Sequence, residues 1–216
     1  MERRRWVLYL HETLNSITHG AGVLLAIAGL VLLVVFASIR TADAWKIVSF
    51  SIYGFSLILM FTASTLYHSF RNKRIKEYLN VLDHSSIFIL IAGTYTPFTL
   101  VSMRGPWGWA IFGVIWGLAI AGVVFKLFFY THRMRFVSSL IYLFMGWIIL
   151  IAIRPLIQSV PLGGLLWLLA GGLAYSMGVI FYLKKQNRFN HVIWHFFVLA
   201  GAISHFFSIF FYVLPA

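Results

Sequence analysis

The 216-residue chain contains no cysteine and only 5 acidic residues. Without thiols it cannot form disulfides, thiolate metal sites or cysteine nucleophiles, so any metal must be held by nitrogen and oxygen ligands. Charged residues make up 10% of the chain, whereas soluble domains contain about 25%. Because 61% of the residues are hydrophobic, the composition excludes a water-soluble globular protein.

The formal net charge of +12 comes from 17 Lys and Arg, which lie almost entirely between long apolar runs. In a soluble protein such a charge would suggest nucleic-acid binding. Beside membrane spans, anionic lipid headgroups are the expected partner of Lys and Arg. We therefore exclude nucleic acid and expect membrane lipids to be the substrate or ligand.

Apolar runs of about the length that a helix needs to cross a bilayer recur along the chain. They cover residues 17–38, 47–69, 81–102, 107–128, 136–153, 162–183 and 191–213. No small-residue cleavage site follows the first run, so we expect an uncleaved first span. The loops, including Arg154-Pro155, are short. The sequence predicts a single all-α integral membrane domain over residues 1–216, a compact bundle of seven transmembrane helices.

The orientation follows from the side on which Lys and Arg accumulate, since short loops rich in these residues stay in the cytoplasm. The N-terminus and the second, fourth and sixth loops contain 13 of the 17 Lys and Arg, and the other side contains 4. The N-terminus is predicted to be cytoplasmic and the C-terminus extracytoplasmic.

Ionisable residues within spans are costly and mark function by default. His68 ends the second span, Asp83 and His84 begin the third, and His191 and His195 begin the seventh. In the predicted orientation all five lie at one depth, near the cytoplasmic surface.

The spacing of these residues favours a metal site. His191 and His195 are one helical turn apart on the same face, where both can bind one ion, and Ser64 and His68 have the same spacing. Three neutral imidazoles with one open position form a catalytic zinc arrangement, and Asp83 is suitably placed to hold or deprotonate a water. Taken singly, each histidine is better explained by hydrogen bonds across helices or by snorkelling to headgroups.

The other histidines have simpler interpretations. His205 lies ten residues beyond His195, about 15 Å deeper along the helix, and is expected to form a hydrogen bond in the core or to line a substrate chamber. His84 points roughly 100° away from Asp83 and is not expected to be a ligand. His11 and His132 lie in polar segments and are expected to be solvated.

Glu12, Asn15 and His19 are spaced to share one helix face. They can either form hydrogen bonds with the metal layer or cap the bundle, and the sequence favours neither.

Five segments together resemble those of the bacterial hemolysin III family, part of the progestin and adipoQ receptor superfamily, which is itself similar to the alkaline ceramidases. The segments are Glu12-Thr13-Leu14-Asn15-Ser16-Ile17-Thr18-His19-Gly20, Ser64-Thr65-Leu66-Tyr67-His68, Leu82-Asp83-His84-Ser85-Ser86-Ile87-Phe88, Ala92-Gly93-Thr94-Tyr95-Thr96-Pro97-Phe98 and His191-Val192-Ile193-Trp194-His195.

The resemblance implies a seven-helix bundle in the bacterial cytoplasmic membrane, with the N-terminus inside and Zn²⁺ near the cytoplasmic surface. The Ser-x-x-x-His motif of the family maps onto Ser64 and His68, its Asp onto Asp83, and its His-x-x-x-His onto His191 and His195. The activities it implies are lipid amide hydrolysis, membrane lysis or membrane-lipid homeostasis.

The favoured hypothesis is a zinc-dependent intramembrane hydrolase of a lipid amide or ester. His68, His191 and His195 hold the zinc, Asp83 orients a water and accepts its proton, and Ser64 forms a hydrogen bond with the developing oxyanion. One alternative is a non-enzymatic membrane sensor in which zinc is structural, which a closed site of four protein ligands would favour. The other is a pore-former, but the charged residues line no continuous path across the membrane.

Overall fold

The computed structural model describes residues 2–129, 134–184, 187 and 189–215, and every regular element within these ranges is a helix. The helices are α1 (Glu2–Arg40), α2 (Ala44–Ser69), α3 (Lys73–Pro97), α4 (Pro106–Phe128), α5 (Arg135–Trp147), α6 (Ile153–Ser159), α7 (Leu162–Leu183) and α8 (Phe189–Tyr212). A π-helical turn, Phe98–Ser102, continues α3, and a 3₁₀ turn, Ile148–Ala152, joins α5 to α6.

The described residues form 7 spans that are long and apolar enough to cross a membrane, which confirms the predicted helix count. The fifth span runs from Arg135 to Ser159 and contains α5, the 3₁₀ turn and α6. It therefore continues past Arg154-Pro155, where the sequence suggested an interruption. Pro155 is accommodated because it lies in the first turn of α6, where a backbone N–H has no helical partner.

Short polar caps define the turns between the first spans. The side chain of Asp43 accepts a hydrogen bond from the backbone N–H of Trp45 at 2.8 Å and begins α2. Asn72 caps α3 in the same way, through the backbone N–H of Arg74 at 3.0 Å. These tight turns make consecutive helices antiparallel neighbours, which brings the end of α2 close to the start of α3.

The helices pack in chain order from α1 to α4, and α7 packs along α8. Contacts between α1 and α8 bring the first and last spans together, so the end of α2 and the start of α8 meet beside α1. Leu33, Phe50 and Ile209 are fully buried in this core, whereas Leu24 and Leu162 are exposed on outer faces that lipid would cover. The α5 helix packs more sparsely than these neighbours, against α3 and α7.

The start of α1 differs from the sequence prediction. The helix includes the polar segment before the first apolar run, and His11 is only 6% exposed, so the expectation that it is solvated is wrong. Its ring lies 4.2 Å from that of Phe189, centroid to centroid, because α1 extends along the start of α8. His132 lies outside the described residues.

Candidate metal centre

Three histidines converge where the end of α2 meets the start of α8. The Nε2 atom of His191 lies 3.2 Å from Nε2 of His68 and 3.2 Å from Nε2 of His195. One ligand atom from each side chain lies within 4.8 Å of the others, so the group can hold a metal ion. The helical spacing of His191 and His195 places both rings on the face of α8 that points to α2.

Hydrogen bonds to the other ring nitrogens determine two of the tautomers. Nδ1 of His195 lies 3.2 Å from the backbone carbonyl oxygen of Asn15, which can only accept, so this nitrogen carries the proton. Nδ1 of His68 lies 2.8 Å from Oε2 of Glu12 and donates to that carboxylate. The Nε2 atoms of both rings are therefore unprotonated and direct their lone pairs at His191. This is the tautomer in which an imidazole can bind a metal through Nε2.

The distances between the nitrogens fit a tetrahedral ion. Two nitrogens bound to zinc at 2.0–2.1 Å in tetrahedral geometry are about 3.3–3.4 Å apart, close to the 3.2 Å observed here. If Nε2 of His191 carried a proton, that proton could form a good hydrogen bond with only one of the two facing Nε2 lone pairs. A metal cation would interact with all three nitrogens. Three imidazole nitrogens in this arrangement fit zinc, and imidazole ligands also suit copper, iron and nickel.

A face of α1 forms the outer layer of the site. Oε1 of Glu12 accepts a hydrogen bond from Nζ of Lys76 at 2.8 Å while Oε2 contacts His68, so the carboxylate connects α1, α2 and α3. His19 stacks on His195 with ring centroids 3.6 Å apart and an angle of 9° between the planes. Of these α1 residues, Glu12 forms a side-chain hydrogen bond with His68, Asn15 contacts His195 through its backbone carbonyl oxygen and His19 stacks on His195, so this face of α1 packs on the triad.

A cavity opens beside the triad. Asp83, Ser64, His191 and His195 line it, so four of the five predicted site residues share one chamber, whereas His68 is not among the lining residues. The Ser64 hydroxyl interacts with the Asp83 carboxylate. Asp83 is not part of the group whose ligand atoms lie within 4.8 Å of one another, so an ion held by the three histidines would not have Asp83 as a fourth ligand in this arrangement.

His84 lies beside the triad in a separate hydrogen-bonded arrangement. Its Nδ1 donates to the backbone carbonyl of Asn80 at 2.8 Å, and its Nε2 accepts from the hydroxyl of Tyr182 at 2.9 Å. These bonds hold the ring away from the metal position, in agreement with the sequence-based expectation that His84 is not a ligand.

The sequence did not indicate that Lys126 lies close to the site. Lys126 was counted among the Lys and Arg of the cytoplasmic loops. The side chain is 1% exposed near the end of α4, and its ammonium lies 5.8 Å from the ring centroid of Tyr142. It is also close enough to interact electrostatically with Asp83. A single lysine near the end of an apolar run resembles an interfacial residue, so no sequence signal distinguished it.

His205 lies far from the triad, at the opposite end of the same cavity. Its Nε2 is 3.2 Å from the backbone carbonyl oxygen of Leu168 on α7. The prediction that His205 lies too deep to bind the same ion agrees with its absence from the metal-binding group.

These features define a class of multi-pass membrane protein with seven apolar helices and a buried histidine triad beside a cavity. Residues 8–206 match the model of the family described as Haemolysin-III related, and the chain belongs to that family.

Several relatives align with most of the chain. It is 47% identical over 204 residues to "Hemolysin-3" of Bacillus cereus, covering 94% of this chain and 92% of the relative. It is 47% identical over 201 residues to "Hemolysin-3 homolog" of Bacillus subtilis (strain 168), covering 93% of each. The "Monocyte to macrophage differentiation factor" of Homo sapiens is 29% identical over 205 residues, covering 92% of this chain and 83% of the relative.

Proposed function

We propose that this protein is a zinc-dependent intramembrane hydrolase that cleaves an amide or ester near the headgroup of a membrane lipid. The observation that carries the proposal is the convergence of three imidazoles, two of which line a cavity together with the separate carboxylate of Asp83. His68, His191 and His195 would hold Zn²⁺, and Asp83 and Ser64 would act on the substrate. When bound, zinc would lower the pKa of a water ligand toward about 7 and polarise the scissile carbonyl.

Asp83 is the residue suited to proton transfer. Its side chain is 14% exposed and lines the cavity without joining the group of ligand atoms. The carboxylate accepts a proton from the water that attacks the carbonyl carbon, then returns it to the leaving amine or alcohol. A carboxylic acid and an amine or alcohol are the products, and Asp83 ends in its starting form.

Ser64 and the α1 layer position the reacting groups. The hydroxyl of Ser64 donates a hydrogen bond to the carbonyl oxygen as negative charge develops on it. Glu12 and the Asn15 carbonyl keep the proton of His68 and His195 on Nδ1, so that each Nε2 remains available.

The cavities are suited to an acyl chain. The cavity beside the triad shares Tyr95, Trp147 and His205 with a second cavity, which is lined mainly by apolar side chains of the fifth and sixth spans. Because α5 packs sparsely, we expect a chain to enter laterally between the fifth and sixth spans. The reactive carbonyl would then lie at the triad and the hydrocarbon along the cavity.

The cell membrane of a bacterium is the expected location, with the N-terminus and the triad on the cytoplasmic side. This orientation rests on the distribution of Lys and Arg, 13 of 17 on one side. The substrate carbonyl would be reached from the inner leaflet.

The test is a comparison of membrane lipids from cells that contain the wild-type protein or the Asp83→Ala variant at equal abundance. A hydrolase predicts that one lipid class accumulates in the variant while its acid and amine or alcohol products decline. Purified protein loaded with zinc should then cleave that class. An unchanged lipid profile, with full zinc content in both proteins, would favour a structural zinc in a membrane sensor. Leakage of liposomes at low protein dose would instead favour a pore.

A further inference from the structure

The far end of the cavity contains two polar side chains in apolar surroundings. His205 of α8 and Tyr175 of α7 both line the cavity, with ring centroids 5.5 Å apart. His205 is ten residues beyond His195, which corresponds to about 15 Å along the helix. This polar pair is therefore well separated from the metal centre along the helix bundle.

The hydrogen-bonding state of His205 follows from its one partner. Nε2 lies 3.2 Å from the carbonyl oxygen of Leu168, and since a carbonyl only accepts, Nε2 carries the proton. Nδ1 of the neutral ring is then an acceptor, and it has no hydrogen-bond partner among the described residues. A buried acceptor without a partner is costly in an apolar environment.

Tyr175 supplies the complementary group. Its hydroxyl is buried and also has no hydrogen-bond partner in the described parts of the chain. The neighbouring Tyr53 already donates to the carbonyl oxygen of Ala202 at 3.3 Å. An unused donor and an unused acceptor therefore occur together at the end of an apolar chamber.

Glycines on the facing helices make room for both rings. A Cβ atom at Gly171 on α7 would overlap the ring of His205, and one at Gly201 on α8 would lie 2.7 Å from Cε2 of Tyr175. Each helix thus has a glycine opposite the polar ring of the other. The close approach of α7 and α8 depends on these two positions, and it holds both rings at the cavity wall.

We propose that His205 and Tyr175 form a binding subsite for a hydroxyl group on the acyl chain of the lipid. One hydroxyl can donate to Nδ1 of His205 and accept from Tyr175, which satisfies both groups at once. A carbonyl or ether oxygen can only accept and would leave the histidine without a partner. The apolar walls between the triad and this pair require hydrocarbon on either side of that hydroxyl, so the ligand is a lipid hydroxylated part-way along its chain.

This inference deepens the proposed function by naming the acyl chain of its substrate, and it rests on that function only for the direction of the chain. With the carbonyl at the triad, the hydroxyl lies about 15 Å along the chain. Binding of the hydroxyl itself requires no turnover, so it can be measured independently of hydrolysis.

The test is a competition between oleate and ricinoleate, which differ by one mid-chain hydroxyl. Purified, zinc-loaded protein in detergent is incubated with equal amounts of both, and the bound acids are quantified by mass spectrometry relative to protein-free micelles. Two satisfied hydrogen bonds predict roughly tenfold enrichment of ricinoleate on the wild-type protein. Loss of one bond in Tyr175→Phe should reduce the enrichment to about threefold.

A second variant and a matched control make the result specific. His205→Phe removes the acceptor and should also reduce the enrichment. Tyr78→Phe makes the same chemical change at a residue that is 81% exposed, and it should retain the wild-type ratio. Thermal unfolding of each variant shows that the fold is retained.

Equal binding of both acids by the wild-type protein would overturn the subsite and would mean that the pair holds water only. Enrichment that survives both Tyr175→Phe and His205→Phe would also overturn it, because the hydroxyl would then bind elsewhere. Enrichment without hydrolysis of any lipid would reject the proposed function and leave the subsite standing. Hydrolysis without enrichment would reject the subsite alone.

Discussion

Glu12 accepts a hydrogen bond from Nδ1 of His68 at 2.8 Å through one carboxylate oxygen and from Lys76 at 2.8 Å through the other. The hydrogen bond with His68 connects the first helix to a candidate metal ligand on the second. It also keeps the proton of His68 on Nδ1, away from the other two histidines of the triad. Carboxylate partners of this kind orient a ligand imidazole and increase its basicity.

Replacing Glu12 by Gln tests this connection. The amide keeps the shape but removes the negative charge that stabilises the His68 tautomer, so zinc affinity should fall by about 10- to 100-fold, the usual effect of losing an outer partner of a metal ligand. Competition with a chelator of known affinity measures the change. Glu77→Gln is the matched control, since Glu77 is exposed on α3 and should leave the affinity unaltered. Equal affinities for both variants would show that Glu12 does not tune the site.

Hydropathy alone predicted the seven spans, because each helix that crosses a bilayer needs about 20 apolar residues. The histidine triad was predictable too, since His191 and His195 are one helical turn apart and the span that contains them was predicted to be a helix, which places both on one face. What the sequence could not decide was which helix faces the triad. The role of Glu12 and Asn15 depends on the packing of α1 against α2 and α8, and helical periodicity within α1 carries no information about its neighbours.

The sequence also did not predict that His205 and Tyr175 form a polar pair at the far end of the cavity. Tyr175 lies among apolar residues of the sixth span, and nothing in its spacing connects it with His205 on the seventh. Their contact results from the packing of α7 on α8 at Gly171 and Gly201. Pairs that come from different helices are visible only once the helix rotations are known.

Metal analysis provides the second prediction. Purified protein should contain about one zinc per chain, because the three convergent imidazole nitrogens are suited to hold one ion. The His191→Ala, His195→Ala double variant leaves one of three imidazoles and should lose the metal. His11→Ala is a matched control: it also truncates a buried histidine, but one outside the metal-binding group, and it should retain zinc. Full zinc content in the double variant would rule out the site.

The third prediction concerns pH. Zinc binds the deprotonated imidazole, so protons compete with the metal as the pH approaches and passes below the ordinary histidine pKa of about 6.5. Zinc occupancy should be full at neutral pH and decline below about pH 6, and the stability that zinc adds should be lost over the same range. Thermal unfolding with and without a chelator, measured across pH, follows this loss. A zinc contribution that persists unchanged at pH 5 would contradict histidine ligation.

Topology mapping provides the fourth prediction. The charge distribution places Lys73 in a cytoplasmic loop and the C-terminus on the opposite side. Reporter fusions in the loop near Lys73 and after Ala216 should therefore give opposite signals. Cytoplasmic signals from both fusions would require an even number of crossings between Lys73 and the C-terminus. That result would be incompatible with the seven helices and with a triad formed by residues near the start of α8 and the end of α2.

The last prediction separates catalysis from a purely structural role for zinc by comparing a ligand with the proposed base. His195→Ala removes one of three protein ligands, so zinc content, thermal stability and lipid hydrolysis should decline together. Asp83→Asn keeps the shape of the side chain but removes the group that accepts a proton. Zinc and fold should then be retained while turnover falls by about 10²- to 10⁴-fold, the range for loss of a general base. If zinc only joins helices, the Asn variant should keep the wild-type cellular phenotype. Loss of zinc from the Asn variant would contradict the catalytic role and favour a structural zinc, because Asp83 would then be a fourth protein ligand that closes the site.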